Sequence, residues 1–215
     1  MADVLFHPRV LELMASRVCH DLVSPVGAVN NGVELMEELG PSAGAEATQL
    51  IANSARQASI RLKNFRLCYG AAGTDQNIGF KEIREAFSDL IPEGGRISCT
   101  FAPDIGVVFS MPPRGFFKVV LNALILAEEC LQGGGEIAVA AKADKSGLDI
   151  TLTGKNPGFR DGVEAALRGE SAPDDLDARS IHAYLTGRFA AHFDLPISWT
   201  ANAEGGHLAF TVGVA

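Results

Sequence analysis

From Pro8 to Leu39 apolar positions recur every three to four residues, the period of an amphipathic helix. A proline suits the first helical turn, and the Gly40-Pro41 pair supplies a stop. At about 100° per residue, Leu11, Met14, Val18, Leu22, Pro25, Val29, Val33 and Met36 form one stripe, with His20 pointing almost directly away from it. A second helix is expected from about Ala43 to Tyr69, where Thr48, Ile51, Ala55, Ala58, Leu62, Phe65 and Tyr69 alternate by three and four as in a bundle seam. A two-helix hairpin cannot enclose a core alone, so pairing with a second copy into a homodimeric four-helix bundle is its natural completion.

The small and polar run Gly70 to Asn77 separates this hairpin from a different texture, which sets the expected domains at residues 1–72 and 73–215. Beyond it the pattern predicts a helix at Phe80 to Leu90, a strand at Ile97 to Phe101 and a long helix at Pro113 to Leu131. Paired strands follow at Glu136 to Ala143 and Leu148 to Thr153. Helices near Arg160 to Leu167 and Asp177 to Phe193 precede strands at Ile197 to Ala203 and His207 to Val214. The order gives an α+β fold: a helical hairpin followed by a two-layer α/β sandwich with mostly antiparallel strands.

With 215 residues, 47% of them hydrophobic, the chain has ample material for packed cores. A net charge of −8 without clustered Lys and Arg argues against nucleic acid as a partner. There is no basic segment leading into an apolar run and no stretch long enough to span a bilayer, so a cytoplasmic protein with no membrane partner is expected. Cys19, Cys68, Cys99 and Cys130 lack metal or disulfide spacing and read as free, mostly buried thiols.

The candidate chemistry lies at His20. Arg17, Ser24, Gly27 and Asn31 share its outward face, and Asp21 sits to one side. Pro25 removes the helical bond to the Asp21 carbonyl at a cost of roughly 3 kcal/mol, so a break one turn after the histidine asks for a purpose. The run His20-Asp21-Leu22-Val23-Ser24-Pro25 resembles the phospho-acceptor motif of sensor histidine kinases. A solvent-facing imidazole is largely neutral in the cytoplasm and offers one ring nitrogen to attack phosphorus. Asp21 can orient the other nitrogen and stabilise developing charge, Ser24 can contact a phosphoryl group or water, and Arg17 can pair with phosphate. The same three residues also read as a solvated acid, a pre-proline serine and a solvated base.

A hairpin followed by a sandwich also resembles a histidine kinase, but the nucleotide boxes are broken. In Gly115 to Ile137 the asparagine that would hold Mg²⁺ falls on Leu126, and Asn122 matches only a position one turn earlier. In "LDITLTGKNPGF" Gly154 stands where an adenine-binding aspartate would be and Asn156 where the first glycine would be. Before the last helix "LDARSIHAYLTG" shows no glycine pattern. Each lost polar anchor is worth roughly 1.5–3 kcal/mol, which together weakens nucleotide binding by orders of magnitude.

This combination resembles the histidine phosphotransferases of the ChpT type. The resemblance implies a homodimer with a degenerate ATPase-like sandwich and no bound cofactor. His20 would receive a phosphoryl group from a receiver-domain aspartate of a hybrid histidine kinase and pass it to a response regulator, with Mg²⁺ supplied by the receiver partner. Two alternatives remain: an ATP-dependent kinase with unorthodox boxes, and a non-catalytic scaffold that binds response regulators. His7, His182, His192 and His207 show no metal spacing and read as surface or packing residues. The acidic group Asp174, Asp175 and Asp177 reads as a solvated loop or a docking edge, and Lys155, Arg160 and Arg168 raise the same question.

Overall fold

The computed structural model describes residues 7–40, 44–75, 77–92, 94–201 and 207–214. Helix α1, Pro8–Leu39, begins on its proline and runs through Pro25 without interruption. Helix α2, Gly44–Cys68, returns beside it. The expected starting residue Ala43 and the stop residue Pro41 lie outside the described residues, as do Ala203 at the expected end of a strand and Gln76 in the linker.

The two helices meet along small residues and part of the stripe, where Pro25 is buried and Met14, Val18, Leu22 and Val29 are half-buried. Gly32, Pro25, Ala47 and Ser54 are buried, and a Cβ at Gly32 would stand 2.6 Å from Cγ1 of Ile51, so glycine lets the helices approach there. Leu11, Val33 and Met36 of that apolar stripe are exposed in the single chain. The hairpin thus buries a narrower face than the apolar pattern offers.

A short 3-10 turn, Ala71–Thr74, leads into α3, Phe80–Leu90, and strand β1, Ile97–Phe101. The pattern missed the single turn of α4, Ile105–Val108, which is too short to show a period. Helix α5, Phe116–Glu129, begins three residues later than expected because Gly115 precedes it in a left-handed conformation. Strands β2, Gly135–Ala141, and β3, Gly147–Gly154, form a hairpin. Helices α6, Val163–Arg168, and α7, Ile181–His192, then precede β4, Ile197–Ala201, and β5, His207–Gly213.

The strands form one sheet in the order β1-β2-β3-β5-β4, parallel between β1 and β2 and antiparallel elsewhere. Ile137 and Val139 of β2, Leu148, Ile150 and Leu152 of β3, and Leu208, Phe210 and Val212 of β5 are buried at alternate positions, the mark of a sheet covered on one face. Helix α5 lies in the buried layer. The core is continuous with the base of the hairpin, where Leu13, Leu67 and Cys68 join the sandwich residues. Two of the expected buried thiols, Cys68 and Cys130, are buried, whereas Cys19 is exposed beside His20.

Candidate functional site

Helix α1 carries His20 with its side chain 88% exposed, so the ring stands in solvent as its position opposite the apolar stripe requires. Its Nδ1 lies 3.2 Å from Oδ1 of Asp21. A carboxylate only accepts, so the contact places a proton on Nδ1, and in the neutral ring the Nε2 lone pair is then free. The second oxygen of Asp21 faces Nη1 of Arg61, on α2, at 3.7 Å. Ser24 is exposed one turn further along the helix, as are Asn31 and the ring itself.

Arg17 does not belong to that outward face. Its guanidinium turns toward the end of α5 and pairs with Glu129, in a contact mostly shielded from solvent. Burial alone would lower its pKa, but Glu129, with Tyr69 and Asp21, holds the cation above its usual range. The expectation that Arg17 shares the polar strip with His20 is corrected by the docking of the sandwich, which covers this side of α1.

Asp21 and Arg61 open onto a cleft of about 430 Å³ between the hairpin and the sandwich, also lined by Gln57, Tyr69, Ile125 and Glu128. Burial pushes the Glu128 carboxyl above the ordinary range, and its neighbour Glu129 adds to the effect.

Below the cleft, polar contacts join hairpin and sandwich. The Tyr69 hydroxyl meets Nδ1 of His182 at 2.8 Å, and Nε2 of His182 reaches the Asn122 carbonyl at 3.1 Å. The carbonyl can only accept, so His182 is protonated on Nε2 and accepts the tyrosine proton on Nδ1. Asn122 donates to the Cys68 carbonyl at 3.1 Å, and Lys118 donates to that of Gly70 at 2.8 Å. His182 is fully buried, and loss of water pushes its pKa down to about 4. These groups hold the base of α2 against α5 and α7.

Of the positions set against kinase nucleotide boxes in the sequence, Leu126 is buried, Gly154 is half-buried and Asn156 is exposed. A Cβ at Gly154 would stand 2.5 Å from the Gly134 carbonyl oxygen. An aspartate at Gly154 would require the backbone to move. Asn122, fully buried, donates its amide to the main-chain carbonyls of Cys68 and Lys118, while its Oδ1 is buried without a hydrogen-bond partner. Among the described residues no three His, Cys, Asp or Glu side chains converge as a metal cage.

The acidic loop is organised from within. Asp177 accepts from the Arg179 and Ser180 amides and from the Ser180 hydroxyl, and the Ser180 amide leads in holding its carboxyl below the usual range. Asp174 lies 3.8 Å from Nε2 of His7 at the start of α1. Arg168 stacks on Trp199 at 4.4 Å and pairs with Glu164 at 2.8 Å.

Arg61 and Glu129 were not singled out by pattern, Tyr69 was read only as a seam position, and His182 only as a surface or packing residue. Once the fold sets Gly32 against Ala47 and Ile51, the antiparallel register brings Arg61 level with Asp21, a pairing the sequence alone does not supply. Glu129 and His182 depend on how the sandwich docks, for which the sequence carries no local signal.

The arrangement is a solvent-facing histidine on a helical stalk, buttressed by an α/β sandwich. The family described as Histidine phosphotransferase C-terminal domain matches residues 80–205. Protein phosphotransferase ChpT of Brucella abortus (strain 2308) is 33% identical over 203 residues, covering 89% of this chain and 90% of that protein. A solved bacterial phosphotransferase superposes with a TM-score of 0.70 at 29% identity, over 97% of both chains. The chain belongs to the histidine phosphotransferase family.

Proposed function

We propose that the chain works as a cytoplasmic homodimer that relays phosphate through His20 and does so without ATP. The free Nε2 lone pair attacks the phosphorus of a receiver aspartyl phosphate, and the bond from phosphorus to the aspartate oxygen breaks. The imidazole keeps its Nδ1 proton and becomes cationic, a charge that Asp21 stabilises. Transfer to a response regulator reverses these steps with a second aspartate. Each receiver would bring its own Mg²⁺ to neutralise the phosphoryl oxygens, so His20 need only be a fixed and accessible nucleophile.

The observation that carries this reading is the exposed His20 ring with Asp21 on its Nδ1. Support for ATP independence comes from buried Leu126 and from the crowding at Gly154. Support for the dimer comes from Val26, Val33, Met36, Leu39, Leu50 and Leu62, which remain exposed along the hairpin.

The test mixes the purified protein with a phosphorylated receiver domain and, separately, with labelled ATP and Mg²⁺. Label is expected on the wild type from the receiver and not from ATP, and none on His20→Ala. Labelling of His20→Ala from the receiver overturns the assignment of the acceptor, and labelling of the wild type from ATP overturns ATP independence.

A further inference from the structure

We propose that Arg61 is a positioning residue for His20, acting through Asp21. The inference rests on the reading of His20 as the phosphoryl acceptor and names a residue of α2 as part of that machinery. Adjacent residues on a helix do not face one another, so Asp21 has no intrinsic reason to remain against the His20 ring. What holds it lies on its other side: Oδ1 contacts His20 Nδ1 at 3.2 Å while Oδ2 faces the Arg61 guanidinium at 3.7 Å. The carboxylate is 26% exposed against 88% for the ring, so it is held at the cleft wall while the histidine projects beyond it.

Arg17 pairs with Glu129, and the cation paired with Asp21 is Arg61. Arg61 anchors Asp21 from the second helix of the hairpin and so fixes the direction from which the carboxylate meets the ring. The consequence is chemical as well as geometric. Imidazole in water favours the tautomer protonated on Nε2, which has no lone pair there to attack phosphorus. An anchored Asp21 selects the Nδ1-protonated tautomer and exposes the nucleophilic nitrogen.

The experiment records ¹⁵N spectra of histidine-labelled full-length protein, with His20 assigned by difference from His20→Ala, alongside phosphoryl acceptance from a phosphorylated receiver. The wild type should show His20 protonated on Nδ1. Arg61→Ala should move the signal toward the Nε2-protonated form and slow acceptance roughly fivefold, about 1 kcal/mol. Arg61→Lys should recover most of both. Circular dichroism on each variant verifies the fold, which a half-exposed arginine should not disturb. An Arg61→Ala protein with the wild-type tautomer and the wild-type rate overturns the proposal. A tautomer that responds to Arg61→Ala in a protein that accepts no phosphate supports the positioning and overturns the relay reading, so the two failures are separable.

Discussion

Helices α1 and α5 divide the molecule between them. In α5 eleven of fourteen residues are buried, a lysine and an asparagine included, whereas in α1 only three of thirty-two are. One helix is the centre of a packed body, and the other is mostly surface. A long helix with so little cover is held by its partner helix and by the sandwich at its base, and its free faces are left for other molecules. The contrast fits the proposed division of roles, with the sandwich as a packed platform and the hairpin carrying His20.

The contrast is broken most severely by exchanging the two kinds of residue. His20→Ala should lower phosphoryl acceptance by at least roughly a thousandfold and leave the thermal midpoint unchanged, since an exposed side chain is lost and no contact in the core is touched. Phe87→Ala should do the reverse. Phe87 is fully buried, so its truncation should cost about 3–5 kcal/mol, read by urea unfolding, while the folded fraction still accepts phosphate.

Acid should weaken the platform through its buried histidine. Folded His182 titrates at about 4, below the ordinary histidine value of 6.5, because burial penalises its charged form. Between those two values the unfolded chain takes up a proton that the native state refuses. The stabilisation is therefore whole above about pH 6.5 and is lost as pH falls through about 4, about 3 kcal/mol in all. Urea midpoints measured across that range should fall for the wild type and for His20→Ala alike, and the fall should flatten in His182→Gln.

The smallest of these effects concerns the open face of the hairpin. Leu62 is 53% exposed, and Leu62→Glu should weaken self-association by roughly tenfold, about 1.4 kcal/mol, seen by analytical ultracentrifugation, with the monomer's fold intact.

Local patterns reached a good part of this. Pro8 and Gly40 bound α1, the spacing from Phe80 to Leu90 gave α3, and β1 was readable from Ile97 to Phe101, because each of these depends on neighbours in sequence. The exposure of His20 followed in the same way from its angle to the apolar stripe. What periodicity could not supply was the identity of the surface each face meets. Val33 and Met36 continue the apolar stripe yet are open in the single chain, while a close helix contact falls on Gly32. Arg17 looked like a companion of His20 and is held by Glu129, 112 residues away in the chain. His182 looked ordinary because burial is a property of the assembled fold and not of its flanking sequence.

The central claim is that Nε2 of His20 is the atom that carries phosphate, with Nδ1 kept protonated against Asp21. The direct measurement is a ¹⁵N and ³¹P spectrum of the histidine-labelled protein after transfer from a phosphorylated receiver. Phosphorus coupled to Nε2 of His20, with a proton retained on Nδ1, is the expected result. Phosphorus on Nδ1 of His20, or on any other residue, would contradict it.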